Sequence, residues 1–358
     1  LPVRVSLKVP AGRGRRQNDQ EVNMRAYELG DFAIEKLKIA ERPDPKPGPG
    51  QVVMAVRAVS LNFRDTLVAK GLYSRKLRLP LVPCSDAAGE VIAVGEGVKR
   101  LRMGDRVAAN FMTGWIEGEL DETKARTALG GAVPGVLAEQ VVFAQESLVR
   151  IPDALSFEEA STLPCTGVTA WNALMVSGRL RPGETVLVQG TGGVSIFALQ
   201  LARMAGAFVI ATSSSDAKLD RARELGAAIG INYKTTPDWG EKALELTARR
   251  GVDHVIEVGG AETLLQSARA ARFGGHIALI GNLTGRGGVD LVPVFMKALR
   301  IDGIFVGSRA MFEDLNRAVA HAGLRPVVDR VFPFEEAVEA LRYMETGAHF
   351  GKIVIRVS

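Results

Sequence analysis

Cysteine is scarce: Cys84 and Cys165 are the only two in 358 residues. A disulfide framework is not expected from them, and two isolated thiols fit a reduced, cytoplasmic protein. No apolar run approaches the ~20 residues that a membrane-crossing helix needs, so no membrane association is expected. Histidine is nearly as rare, with His254, His276, His321 and His349 the complete set. Positive charge is thinner than it looks. The formal net charge is +5, but residues 1–23 place Arg4, Lys8, Arg13, Arg15 and Arg16 against only Asp19 and Glu21. The rest of the chain is close to neutral, so nucleic acid is not an expected partner of the body.

That Gly-Arg-Gly-Arg-Arg arm has no apolar periodicity. It is read as a disordered or expression-derived extension, or upstream read-through, before a natural start at Met24, and stays outside the fold reasoning. Its acid-poor, arginine-containing composition also leaves a transit peptide open, although a strong amphipathic pattern is lacking.

What is present is a large core: 47% of the residues are hydrophobic, and the length predicts two domains. From Met24 to about Arg150, short β-patterned runs (Gln51–Val59, Ala88–Val94, Arg106–Ala109, Leu137–Phe143) alternate with breakers such as Pro43-Asp-Pro-Lys-Pro-Gly-Pro-Gly50. This predicts a compact, mainly antiparallel β domain. From about Ile151, short apolar strands (Glu184–Gln189, Phe208–Thr212, His254–Val258, His276–Ile280, Ile301–Val306) alternate with helices at Ser215–Leu225, Asp238–Arg250 and Ala261–Ala271. That alternation predicts a doubly wound parallel α/β sheet. A helix at Phe334–Thr346 and a strand at Gly351–Val357 close the chain with β-domain texture. The expected division is 24–150 with 310–358, and 151–309.

The most specific local signal is Val186-Leu-Val-Gln-Gly-Thr-Gly-Gly-Val-Ser195, followed by an apolar helix and the run Ala207-Phe-Val-Ile-Ala-Thr212. Strand, glycine loop, helix and strand in that order form a dinucleotide-binding unit. Gly190 allows the tight turn, and Gly192 lets backbone amides approach a pyrophosphate lying at the positive end of the helix. Thr191, Gly193 and Val194 complete the loop. Ser195 stands where a third glycine would favour close packing, a small departure.

The second strand ends Ala211-Thr-Ser-Ser-Ser215 with no acid at its tip. An acid there would bind a ribose 2′-hydroxyl and repel a 2′-phosphate. Ser213 takes that place, Ser214 and Ser215 open the next helix, and Lys218 lies one turn in, so NADP(H) is expected over NAD(H). A plain alternative is that Ser215 and Asp216 only cap the helix and Lys218 is a solvated surface lysine.

With these features placed, the chain resembles the medium-chain dehydrogenase/reductase superfamily, within it the zinc-independent, quinone-oxidoreductase-like branch. The resemblance covers about Met24 to Val357. It rests on Ser60-Leu-Asn-Phe-Arg-Asp65, Gly71-Leu-Tyr73, Asp86-Ala-Ala-Gly-Glu-Val91, Gly104-Asp-Arg-Val107, Leu163-Pro-Cys-Thr-Gly-Val-Thr-Ala-Trp171, Gly190-Thr-Gly-Gly-Val194, Ile231-Asn-Tyr233 and Gly351-Lys352. It implies a Rossmann domain inserted in a GroES-like β domain, a cofactor cleft between them, a small-molecule substrate, and a homodimer joined edge to edge through the Rossmann sheets.

In zinc-dependent relatives three ligands fall at positions held here by Asn62, Ser85 and Cys165. A carboxamide, a hydroxyl and one thiol do not make a catalytic zinc set, and Asn110 to Val136 lacks the cysteines of a structural zinc lobe. No metal is expected. None of the four histidines falls at a matched ligand position, and surface or satisfied core roles are expected for them. Cys165 is either a small filler near the cleft or a reactive thiol. The resemblance implies that Asn62 and Arg64 lie at the nicotinamide end, with Asn62 a candidate donor to a substrate carbonyl. Asp65 either orients this loop or is structural, and Tyr73 is either a proton donor or a packing lid. Thr169 and Val194 would press on the nicotinamide, Tyr233 would join Ser213 and Lys218 at the 2′-phosphate, and Lys352 would reach the pyrophosphate. Phe111 and Trp115 line either an acceptor pocket or a loop core. The expected activity is NADPH-dependent hydride transfer to a quinone or an α,β-unsaturated carbonyl. The alternatives are a zinc-containing alcohol dehydrogenase and a nucleotide-binding protein with little catalysis.

Overall fold

The structure, a computed structural model, describes residues 23–285 and 287–358; the N-terminal arm therefore lies outside the described residues, apart from Asn23. Fifteen strands are formed among the described residues. They are β1 (Asn23–Leu29), β2 (Leu37–Pro43), β3 (Gln51–Ser60), β4 (Asp86–Val94), β5 (Arg106–Ala109), β6 (Gln140–Ala144), β7 (Leu148–Arg150), β8 (Thr185–Gln189), β9 (Phe208–Ser213), β10 (Ile229–Asn232), β11 (Val252–Glu257), β12 (Ala271–Leu279), β13 (Arg300–Gly303), β14 (Val328–Pro333) and β15 (Lys352–Arg356).

Six of them form one wholly parallel sheet in the order β10-β9-β8-β11-β12-β13. This is the doubly wound dinucleotide-binding order, which reverses direction beside the first strand and opens a crevice at the carboxyl ends of β8 and β11. β8 is buried on both faces. Val186 and Val188 join the core shared with Phe197, Leu199 and Leu201, whereas Leu187 joins Ile210, Trp239, Val255 and Ile277 on the other side. Period-two alternation with both sets apolar is what a central parallel strand requires.

The other sheet runs β14-β15-β3-β4-β5-β7, with β6 also on β3. All its pairings are antiparallel except β14 with β15. The tail thus returns to the first domain as expected. Its core includes Met54, Leu61, Val91, Leu137, Phe334, Leu341 and Ile353. At Gly89 a Cβ would lie 2.0 Å from the Ala55 carbonyl oxygen, so only glycine lets β3 and β4 approach there. The helix Arg309–Ala322 sends Phe312, Leu315 and Val319 into the core of helix Gly193–Met204; the strands that return to the antiparallel sheet begin only at Val328.

Two expected helices are shorter than their sequence patterns. The one expected to reach Arg250 ends at Leu246, because Ala248 and Arg249 take positive φ of 51° and 61°. The one expected from Ala261 begins at Leu264, after Gly260 at φ 101°. Among the described residues no helix is long and apolar enough to cross a membrane.

Candidate active site

The glycine loop is built as its sequence demands. Gly190 sits at φ 69°, and Gly192 is the extended residue from which helix Gly193–Met204 starts. A Cβ on Gly190 or Gly192 would meet nothing within 4 Å. The loop therefore presents bare backbone and a helix N-terminus to open space, a cradle that fits a pyrophosphate. Ser195 is buried and turns its hydroxyl back onto the Gln189 carbonyl at 2.5 Å, so its extra atoms are satisfied inside the turn. Beneath the loop, the buried Glu257 side chain accepts from Gln189 Nε2 (2.6 Å), the Gly259 and Gly260 amides (2.8 and 2.9 Å), Thr263 Oγ1 (2.6 Å) and Ser267 Oγ. This carboxylate ties the ends of β8 and β11 together, a role no sequence motif announced.

At the tip of β9, Ser213 is buried, its Oγ accepts from the Ser215 amide (3.3 Å), and its carbonyl accepts from the Tyr233 amide (3.0 Å). Ser214 is half-buried between them. Ser215 caps helix Asp216–Glu224, accepting from the Lys218 amide. The structure thus brings Ser213, Ser214, Tyr233 and a helix N-terminus together. Lys218 departs from its expected place as a free cation. Its Nζ donates to the Gly347 and His349 carbonyls at 2.7 and 3.0 Å, because the tail passes within reach, which leaves one of its three N–H groups unassigned. Burial lowers its pKa.

The tail also clasps the glycine loop. Gly351 N donates to Thr191 O (2.9 Å), and Gly192 and Gly351 form a β-bridge. Lys352 then passes Gly193 so closely that a Cβ there would lie 2.5 Å from its Cδ. Its ammonium does not stop at the pyrophosphate position. It is buried, 3% exposed, and donates to the Leu61 carbonyl (2.5 Å) and to Asn62 Oδ1 (2.6 Å). The expectation for Lys352 is therefore corrected. The stem runs along the loop, and the charge sits at the reaction end, where the Leu61 carbonyl and Asn62 Oδ1 offset part of the cost of its burial.

At that end the side chains form one polar chain. Asn62 Nδ2 donates to Ser85 Oγ (3.3 Å), Ser85 Oγ donates to Asp86 Oδ1 (2.7 Å), and Asp86 Oδ2 accepts from the Cys165 amide (3.0 Å). Asp65 accepts from the Asn62 amide at 2.8 Å, which holds the turn into helix Phe63–Ala69. Burial raises the Asp65 pKa to about 6, against the opposing pull of that hydrogen bond and of Arg64. Burial also raises Asp86, with Lys352 opposing, and lowers Lys352, with Asp86 opposing. Both thiols, Cys84 and Cys165, are pushed up by burial and then by the neighbouring aspartates. They are held protonated, which fits the filler reading of Cys165.

Arg64 donates through Nη1 to Leu129 O (2.8 Å), and its guanidinium lies between the Tyr73 ring (4.7 Å) and the Phe111 ring (5.0 Å). Tyr73 is 42% exposed and covers this guanidinium from the solvent side. Phe111 and Trp115 are both buried in the core, which favours their loop-core reading. Thr169 is buried and Val194 half-buried beside the loop. His254 and His276 form a buried pair, Nδ1 to Nδ1 3.2 Å, flanked by Glu184 and Asp302. Burial, with Arg300 and His254 adding, pushes His276 down to about 4. Among the described residues no three His, Cys, Asp or Glu side chains converge as metal ligands would.

The chain matches the model for the alcohol dehydrogenase GroES-like domain over residues 48–153 and the model for zinc-binding dehydrogenases over residues 193–321. A zinc-type alcohol dehydrogenase-like protein of Schizosaccharomyces pombe is 45% identical over 332 residues, covering 90% of this chain and 96% of that protein. An acryloyl-coenzyme A reductase of Metallosphaera sedula is 30% identical over 327 residues, 89% of this chain and 96% of that one. The crystal structure of an NAD-dependent alcohol dehydrogenase superposes with a TM-score of 0.86 at 37% identity, covering 94% and 100% of the two chains. With its glycine-loop cradle, its reversal of strand order and these relatives, the chain is an oxidoreductase belonging to the medium-chain dehydrogenase/reductase superfamily.

Proposed function

We propose that this oxidoreductase works without a bound metal and transfers hydride from NADPH to a quinone or an α,β-unsaturated carbonyl compound. The observation that carries the reading is the polar chain Lys352–Asn62–Ser85–Asp86. Two of its members, Asn62 and Ser85, stand with Cys165 at the positions where, by the resemblance, zinc-dependent relatives would hold their ligands. Catalytic zinc asks for about three thiolate, imidazole or carboxylate ligands and an open position. Here Asn62 Oδ1 already faces an ammonium 2.6 Å away, Ser85 Oγ donates to Asp86, and burial keeps Cys165 a thiol. A dication among these groups would face the Lys352 charge. The donor set does not fit zinc.

Without a Lewis acid an unactivated alcohol is a poor hydride source, whereas an enone or quinone accepts hydride while charge delocalises onto its oxygen. The reductase of acryloyl-coenzyme A among the relatives is named for a conjugated carbonyl, which supports this substrate class. The residues around the glycine loop fit a nicotinamide dinucleotide, which supplies the hydride when bound. Thr169 and Val194 wall the nicotinamide side, and Asn62 Nδ2 donates to the acceptor oxygen as it gains charge. The Tyr73 phenol stands at the solvent side, where it can hand a proton to the reduced acceptor. Ser213, Ser214, Tyr233 and the helix start at Ser215 favour a 2′-phosphate, with the remaining Lys218 N–H as its cation. A cytoplasmic homodimer completes the proposal. β13 is an edge strand, and Phe273, Leu291, Phe295 and Met296 beside it are exposed at 61% or more, an apolar patch that a second copy would cover.

The test is NADPH oxidation by chelator-treated protein across ortho- and para-quinones and conjugated enones, with NADH in parallel. Turnover that survives chelation supports the proposal. Activity only after zinc is restored, or saturable NADPH binding with no turnover on any acceptor, overturns it.

A further inference from the structure

We propose that Lys352 is the positioning residue that fixes the direction of the Asn62 carboxamide, so that Nδ2 and not Oδ1 faces the acceptor. The inference deepens the reductase reading and rests on it for its catalytic consequence. Its structural content does not.

Hydrogen-bond direction sets the carboxamide. A lysine ammonium has three donors and no acceptor. The atom of Asn62 that lies 2.6 Å from Lys352 Nζ is therefore the oxygen. That places Nδ2 on the opposite side, 3.3 Å from Ser85 Oγ. Ser85 has a single hydroxyl hydrogen, and Asp86 Oδ1 receives it at 2.7 Å. Ser85 is then an acceptor toward Asn62, which only an N–H can satisfy. Asp86 in turn accepts from the Cys165 amide through its other oxygen. Every bond in the series runs one way, from the ammonium to the carboxylate. A flipped carboxamide would set N–H against N–H at Lys352 and oxygen against an occupied oxygen at Ser85.

Nδ2 carries two hydrogens. Ser85 takes one; the other is shared with the Asp86 carboxyl, from which an acceptor oxygen would draw it. It is a donor held at a site 6% exposed, where a preorganised N–H stabilises charge developing on an acceptor oxygen. Lys352 adds polarisation to orientation, because an ammonium on Oδ1 makes the amide N–H a stronger donor. The same side chain packs along Gly193, next to the bridge between Gly192 and Gly351, so the donor geometry is referenced to the cofactor loop itself. An isolated asparagine at the start of helix Phe63–Ala69 would have neither constraint.

The test uses the full-length protein and the variants K352M, K352R, N62A, N62D and K352M/N62A. The first readout is the Asn62 side-chain amide resonance pair in a 15N-labelled sample, assigned by its loss in N62A. In wild type it is expected as two well-separated proton lines. In K352M it shifts or averages, and in K352R it returns toward the wild-type position. An Asn62 pair unchanged by K352M overturns the proposal, whether or not the enzyme turns over. The second readout is steady-state kinetics with methyl vinyl ketone and NADPH. N62A loses on the order of 10²-fold in kcat. K352M loses a comparable factor with the KM for NADPH within about threefold, and the double variant is no worse than N62A. Multiplicative losses in the double variant, or a K352M effect confined to the KM for NADPH, overturn the proposal. N62D keeps a partner for Lys352 but removes the donor, and circular dichroism and its thermal midpoint check that it is folded; a folded N62D loses kcat as N62A does. A fully active N62D refutes the donor role. Wild-type inactivity on every acceptor would instead refute the reductase reading and leave the resonance test to decide the orientation.

Discussion

Replacing Ser213 by aspartate should turn the cofactor preference. Ser213 ends β9, is 3% exposed, and its Oγ accepts from the Ser215 amide at 3.3 Å. An aspartate can accept the same hydrogen bond, so the fold tolerates the change. What it adds is a fixed negative charge at the strand tip, where a 2′-phosphate of about −2 would sit. At a separation of ~4 Å, even the dielectric of bulk water gives a repulsion of about 2 kcal/mol. By RT ln K that is roughly a 30-fold loss of NADPH affinity, with more expected in the less polar cleft. NADH lacks the phosphate and gains a carboxylate acceptor for its ribose hydroxyl, so its affinity should rise by a few-fold. Calorimetric Kd values for both dinucleotides, at low and at ~0.5 M salt, would measure this without relying on turnover. Salt should shrink the NADPH penalty through screening. A Kd for NADPH that stays within twofold of wild type in the folded variant would refute the placement of the 2′-phosphate at Ser213.

Glu257→Gln should destabilise the Rossmann half. Two donors now meet an N–H₂ instead of an oxygen beneath the glycine loop, costing about 2–4 kcal/mol, read as a lower denaturant midpoint. Asp65 should give stability a visible pH slope. Its folded pKa of about 6 lies above the ordinary 3.8, so between about pH 4 and 6 the folded chain holds a proton that the unfolded chain has released. Stability therefore falls as pH rises through that window, by up to ~3 kcal/mol, and the loss persists above it. Asp65→Asn should flatten that segment of a pH–stability profile; an unchanged slope would remove Asp65 as its source. Phe295→Glu, aimed at the apolar patch beside β13, should shift sedimentation from dimer toward monomer with the glycine loop intact. A monomeric wild type would end the dimer proposal.

Much of the fold was legible because the signals are local. Alternating apolar strands and helices from Ile151 onward read directly as a parallel sheet, and Gly190 and Gly192 announce a turn and a bare helix start by what they lack. The ends of helices were less legible. Ala248 and Arg249 adopt positive φ, which nothing in their side chains demands; the turn they make carries the chain to where Arg250 pairs with Asp253 at 2.7 and 2.9 Å.

The site divides along the same line. Sequence alone singled out the residues to which we assign chemistry by proposal, namely Asn62, Arg64, Asp65, Tyr73, the glycine loop and the serines at the tip of β9, since each lies in a short recognisable motif. It could not say where long side chains end. Lys218 and Lys352 were both expected at phosphates. Lys218 commits two of its three N–H groups to tail carbonyls, and Lys352 crosses from the last strand to Asn62, 290 positions away in sequence. A lysine stem spans several ångströms, and its charge settles wherever the folded chain supplies oxygens to replace water. Those oxygens come from segments that only the tertiary structure brings together.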